Sequence, residues 1–193
     1  MSIFILVPTS KGMSMNEKKY IRSILFMLRE VNDTIWLSSP HMSGREMRYV
    51  QEAMERNQVF PLGQNVADFE AVIADYCGSN ACSCLSSGTA ALHLALMLLD
   101  VQPDDEVICS SFTFAASANP ILYLKARPVF VDSEPSTWNM DPLLLREAIV
   151  DRMGKTGKKP KAILIVHLYG MPADMDGIMT IASEFGIPVL EDA

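Results

Sequence analysis

The sequence predicts an α/β domain: a mostly parallel sheet covered by helices on both faces. Three observations carry this. Short apolar runs alternate with helix-period stripes from Trp36 onward. The runs lack a two-residue alternation, as strands buried on both faces do. The 193 residues are 49% hydrophobic and 20% charged, which suits one domain with its own core and is too apolar for a disordered chain.

The first 34 residues stand apart. They hold five basic and three acidic residues in a chain of net charge −7. Ile21, Ile24, Leu25, Leu28 and Val31 share one helical face, framed by Lys18, Lys19, Arg22 and Arg29. A membrane-surface helix, an extension helix packed on the body or a partner, and upstream sequence before an internal start at Met13 or Met15 all fit that pattern.

Elements then follow in order. Ser43 and Glu46 form a capping box ahead of a stripe of Met47, Val50 and Met54. Asn65 caps a second helix striped by Val66, Phe69, Val72, Ile73 and Tyr76. Ala81 to Leu85 reads as a strand, and Gly88 to Leu99, apolar almost all round, as a buried helix. A strand from Glu106 to Ser110 precedes a helix from Thr113 to Leu124, which Pro120 can kink or whose start it can displace. Arg127 to Val131 is valine-rich and strand-like. Asp141-Pro142 starts a helix, with Asp as cap and Pro in the first position. Ala162 to Val166 is a continuous apolar strand. A stripe of Met175, Ile178, Ile181, Ala182 and Phe185 is stopped by Gly186 and Pro188, and Val189-Leu190 opens a last strand. That strand looks like an interior one cut at its end, and an edge exposed there predicts poor solubility for the chain by itself.

Ligands in such sheets bind at the carboxyl ends of the strands. The residues there are Ser86 to Thr89, Ser111 to Phe114, Asp132, His167 and Asp192. Ser86-Ser87-Gly88-Thr89 opens a helix whose first amides are unpaired, so it is an anion site or a plain N-cap cluster. Phe112 or Phe114 can stack on a planar ligand or pack in the core. Glu191-Asp192 can supply an acid to a protonated ring nitrogen or simply face solvent. His167 is a catalytic or a structural histidine.

Several classes are excluded. A net charge of −7 lacks the basic face of a nucleic-acid binder. No apolar run reaches the ~20 residues of a membrane span. The ten glycines contain no Gly-x-Gly, and Gly154-Lys155-Thr156 lacks the earlier glycine of a P-loop because position 149 is Ile. Cys77, Cys82, Cys84 and Cys109 have no zinc spacing and read as small buried hydrophobes of a reducing compartment, so no metal site is expected.

Six segments together resemble one family. They are Trp36 to Met42, Pro61 to Glu70, Ser86 to Leu92, Ser111 to Asn119, His167 to Asp176, and Glu191 to Ala193. In this order they resemble the DegT/DnrJ/EryC1/StrS sugar aminotransferases, fold-type I enzymes that use pyridoxal 5'-phosphate. The resemblance covers about Trp36 to Ala193 and implies an aminotransferase of a nucleotide-linked keto-sugar, with an amino donor such as glutamate. It implies that Gly88, Thr89 and Ala90 hold the cofactor phosphate, that Phe114 lies against the pyridine ring, and that Asp192 bonds the ring nitrogen. Ser87 and His167 are expected in minor roles. The family's Schiff-base lysine lies beyond its Glu-Asp-Ala segment, so no catalytic residue is expected within these 193. Residues 1–34 are then an extension and residues 35–193 the N-terminal part of the cofactor-binding large domain, without the smaller C-terminal domain. A cytoplasmic enzyme is implied, homodimeric when full length, with no nucleic-acid or membrane partner. Three alternatives stand beside this: a truncated chain without activity, a simple anion-binding α/β domain, and the dehydratase variant of the same family, in which histidine replaces the lysine.

Overall fold

The computed structural model describes residues 39–193. The basic-framed stripe between Ile21 and Val31 lies outside them, as do Trp36 to Ser38 of the first matching segment. The chain divides after Asn65 into two compact units.

In the first unit, helix α1 spans Glu46–Glu55. Half of the expected capping box forms. The Ser43 amide donates to Glu46 Oε1 at 2.6 Å, but the Ser43 hydroxyl also turns to that carboxylate, at 2.8 Å. The position before the helix is therefore Arg45, with no side-chain cap. Met47, Val50 and Met54 are exposed. Helix α2, Gln64–Cys77, starts one residue before its expected cap. The Asn65 amide group instead donates to the Tyr49 carbonyl at 3.2 Å.

The second unit, from Val66 onward, holds the sheet. Strands β1 (Glu106–Ser110), β2 (Arg127–Val131), β3 (Ala162–Val166) and β4 (Val189–Asp192) stand in the order β2-β1-β3-β4. All three pairings are parallel. Register runs from Glu106 opposite Arg127 to Ser110 opposite Val131, and from Ile163 opposite Val189 to Val166 opposite Asp192. Helices α3 (Gly88–Leu98), α4 (Ala115–Tyr123), α5 (Pro142–Thr156) and α6 (Met175–Phe185) complete the layers.

Alternation along the strands feeds two cores. Val107, Cys109, Ala162 and Leu164 pack with Leu92 and Leu96 of α3 and Ile121 of α4. Ile108, Ile163 and Ile165 pack with Leu145 and Ile149 of α5 and Ile178 and Ile181 of α6. The predicted doubly covered sheet is what forms.

Local signals explain the helix bounds. Asp141 accepts from the Leu143 amide at 2.7 Å, with Pro142 in the first turn, and α5 ends on left-handed Gly157. Asp174 caps α6 through the Gly177 amide, and Gly186, at φ 59°, ends it. Helix α4 begins two residues later than expected, which leaves Pro120 as its sixth residue.

Three further expectations fail. Ala81 to Leu85 is not a strand. A strand exists only through a ladder, and this run pairs with neither outer strand, β2 or β4. Its Cys84 amide goes to the Glu70 carboxylate instead, at 2.7 Å. Helix α3 is not buried all round: Leu92 and Leu96 are covered, whereas Leu94, Met97 and Leu98 are exposed. Of the four cysteines only Cys109 is buried. Burial there pushes its thiol up to about 12. Among the described residues there is no candidate metal cluster, and no helix is long and apolar enough to cross a membrane.

Candidate functional site

The strand order places a switch in direction at β1. The chain steps from β1 to β2 on one side, then returns to place β3 on the other. Loops leaving neighbouring strands diverge at such a point and open a crevice at the carboxyl ends. A cavity of about 710 Å³ lies there, of the size of small-molecule sites. It is lined from three directions: the start of α3, the segment from Phe112 to Ser117, and the ends of β3 and β4.

The start of α3 supplies donors. Ser87 is extended, at φ −165°, and its hydroxyl accepts from the Ala90 amide at 3.1 Å. The Ala91 amide is taken by the Ser87 carbonyl. The Gly88 and Thr89 amides precede the first intrahelical bond and have no acceptor within the helix. Both residues line the cavity. A Cβ added to Gly88 meets nothing within 4 Å, so this glycine leaves open space at the helix mouth. Ala90 is not among the lining residues, and its amide is committed to Ser87.

The two phenylalanines have separate surroundings. Phe112 packs its ring on Trp138, with centroids 5.6 Å apart. Phe114, at the N-cap of α4, is 81% exposed and lines the cavity with an uncovered aromatic face.

Alternation along β4 separates the two acids. Glu191 turns to His167, whose Nε2 stands 3.0 Å from its Oε2. His167 Nδ1 accepts the Ala173 amide at 3.1 Å, so the ring proton sits on Nε2 and is donated to Glu191. Both ring nitrogens are thereby used. Asp192 turns to the opposite face and lines the cavity. Its Oδ2 accepts from the Ser117 hydroxyl at 2.6 Å, and Ser117 in turn lies 2.8 Å from the Thr113 hydroxyl. Asp132, also a strand-end acid, does not reach the cavity. It accepts from the Ser111 hydroxyl and the Ser133 amide.

The remaining wall is the turn Leu168–Gly170, in which Tyr169 is left-handed at φ 52° and Gly170 follows at φ 83°. Asn139, 2% exposed, fixes it. Its amide nitrogen donates to the Met171 carbonyl at 3.0 Å, and its oxygen accepts from the Leu168 amide at 2.9 Å. Asn139 sits in a loop that Glu134 organises by accepting from the Thr137 hydroxyl and from the Ser136 and Thr137 amides. The Thr137 hydroxyl and these amides hold the Glu134 carboxyl down at about 2.

The structure thus brings Gly88, Thr89, Phe114, His167 and Asp192 to one cavity, with Ser87 and Ala90 joined to each other beside it. Sequence reasoning missed Ser117 and Asn139. Ser117 had one available signal: a lone hydroxyl among the alanines of Ala115 to Ala118, four residues from Thr113. Asn139 had none, because its partners lie 29 and 32 residues away.

The arrangement suits a phosphorylated planar ring. Open amides meet the anion, an aromatic face meets the ring, and a carboxylate stands where a ring nitrogen can reach it. Among the described residues no lysine lines the cavity.

Comparisons with known proteins agree in direction. A family model described as the DegT/DnrJ/EryC1/StrS aminotransferase family matches residues 40–193. The chain is 52% identical over 159 residues to EpsN of Bacillus subtilis, covering 82% of this chain and 41% of that protein. It is 44% identical over 144 residues to a UDP-2-acetamido-2-deoxy-3-oxo-D-glucuronate aminotransferase of Pseudomonas aeruginosa, covering 75% and 38%. A solved structure of Spr1654 from Streptococcus pneumoniae, in its PLP form, superposes with a TM-score of 0.71 at 29% identity, covering 82% of this chain and 42% of that one. The chain therefore spans about two fifths of the length of the relatives it matches.

Proposed function

The chain belongs to the DegT/DnrJ/EryC1/StrS aminotransferase family, and on that premise we propose that it holds the phosphate and ring of pyridoxal 5'-phosphate for amino-group transfer to a nucleotide-linked keto-sugar. The observation that carries this is the convergence of Gly88, Thr89, Phe114 and Asp192 on one cavity at the strand ends. The name of the Pseudomonas relative supports the substrate class. On this reading residues 35–193 are the N-terminal part of a cofactor domain.

When bound, the cofactor supplies an electron sink for the pair left as a C–H bond breaks beside nitrogen. The chain's residues prepare that chemistry. The Gly88 and Thr89 amides and the Thr89 hydroxyl bind the phosphate at the positive end of α3. Phe114 covers one face of the ring and excludes water from it. Asp192 holds a proton on the ring nitrogen through a charge-assisted hydrogen bond. Among the described residues no lysine lines the cavity, and the contacts that Gly88, Thr89, Phe114 and Asp192 offer are non-covalent.

Pyridoxamine 5'-phosphate tests the reading, because its binding needs no lysine. Titration into the 193-residue chain is followed by calorimetry. Saturable one-to-one binding is expected, competed by inorganic phosphate. Asp192→Ala should weaken it about ten-fold or more, since a hydrogen bond to a charged group is worth ~1.5–3 kcal/mol. Equal affinity in the variant would leave only a general anion site at α3 and refute the proposal.

A further inference from the structure

We propose that Ser117 and Thr113 form a directional hydroxyl chain that positions Asp192 for the ring nitrogen; this inference rests on the cofactor reading above. Ser117 is 1% exposed, and its hydroxyl lies 2.6 Å from Asp192 Oδ2. Thr113 Oγ1 lies 2.8 Å from the same Ser117 oxygen. Counting protons fixes the direction. An ionised carboxylate only accepts, so the single Ser117 proton goes to Asp192. Thr113 must then donate to Ser117. Each bond polarises the next, and both point at the carboxylate.

The consequence falls on the other carboxylate oxygen. Oδ2 is occupied by Ser117, and Oδ1 has no partner among the described residues. The carboxyl group is thus held in one orientation with one oxygen left over. All three side chains line the cavity. Local structure explains the alignment. Helix α4 starts at Ala115, so Ser117 lies on its first turn, and its buried face is turned to the sheet. Asp192 ends β4 with its side chain on that same face of the sheet. Thr113 precedes the helix and supplies the outer hydroxyl.

Ser117 acts here as a positioning residue, not a catalytic one.

The test uses the 193-residue chain and pyridoxamine 5'-phosphate labelled with ¹⁵N in the ring. Calorimetry reads affinity, and the ¹⁵N shift reads ring protonation across pH. Ser117→Ala should weaken binding about ten-fold, the factor that ~1.4 kcal/mol corresponds to. It should also lower the pH at which the bound ring nitrogen loses its proton. Thr113→Val, which keeps the volume and the Ser117 hydroxyl, should shift both in the same sense by less. Asp192→Ala should exceed both. Urea unfolding of each variant identifies loss of fold, and Thr113→Val keeps the test open if Ser117→Ala fails to fold. If Asp192→Ala matters while Ser117→Ala and Thr113→Val leave the ¹⁵N titration unchanged, the positioning role is overturned and the cofactor reading survives. If Asp192→Ala also changes nothing, both fall.

Discussion

At the residue scale, buried polar side chains decide the shape of the cavity. Asn139 is the clearest case. It satisfies a donor and an acceptor of the Leu168–Gly170 turn from a loop far away in sequence. Truncation leaves the Leu168 amide and the Met171 carbonyl without their side-chain partner at a part-buried turn. An unsatisfied buried group costs ~1–3 kcal/mol. Asn139→Ala should therefore lower unfolding free energy in urea by about that amount and speed hydrogen exchange at Leu168. Asn139→Asp keeps the acceptor for Leu168 but sets a carboxylate oxygen against the Met171 carbonyl, so it should not rescue stability. A stable, slowly exchanging Asn139→Ala would show that the turn holds itself. Residues of this kind were not legible in the sequence. The place of Asp192 on the cavity was, because it follows from standing at a strand end. Asn139 and Ser117 act through contacts that only the fold creates.

At the element scale, legibility followed the strength of the local signal. Strands β1, β2 and β3 begin and end where their apolar runs do, and α5 starts where Asp141-Pro142 says it should. Those signals are self-contained: a run that must be covered, a cap with a proline behind it. Ala81 to Leu85 failed because an apolar run does not supply its own ladder partner. Helix α3 failed because composition on a helix does not say which faces have neighbours. Its N-terminus yields a discriminating prediction. Ser87 caps α3 and Asp141 caps α5 by the same type of bond. Ser87→Ala and Asp141→Ala should each cost about 1 kcal/mol of stability. Only Ser87→Ala should alter binding of inorganic phosphate, because of these two helix ends only that of α3 opens on the cavity. It frees the Ala90 amide as a third donor, so phosphate affinity should rise even as the thermal midpoint drops. A parallel loss of phosphate binding in Asp141→Ala would place the anion elsewhere.

At the scale of the sheet-bearing unit, the two cores share one wall. Adjacent residues of β3 face opposite ways: Leu164 joins the core under α3 and α4, and Ile165 joins the one under α5 and α6. β1 divides in the same way, and neither core closes without the strands that both use. The cavity depends on the same coupling, since its walls come from both sides: α3 and α4 carry Thr89 and Ser117, while β3 leads into the turn held by Asn139. This argues for one cooperative unit from Val66 onward, not two half-layers that melt separately. Both leucine and isoleucine here are fully buried, so truncation to alanine should cost ~2–5 kcal/mol in either case. In a Trp36→Phe background, which leaves Trp138 as the one tryptophan, Leu164→Ala and Ile165→Ala should each lower the midpoint of a single urea transition seen alike by circular dichroism and by Trp138 fluorescence. The fluorescent probe sits with Phe112 beside the cavity, so coincidence of the two signals also reports that the site is lost with the fold. Non-coincident transitions in one variant would mean that one core can open while the other holds. Cofactor affinity would then depend on a local equilibrium, and the Asp192, Ser117 and Thr113 comparisons would have to be made at the temperature where that equilibrium is closed.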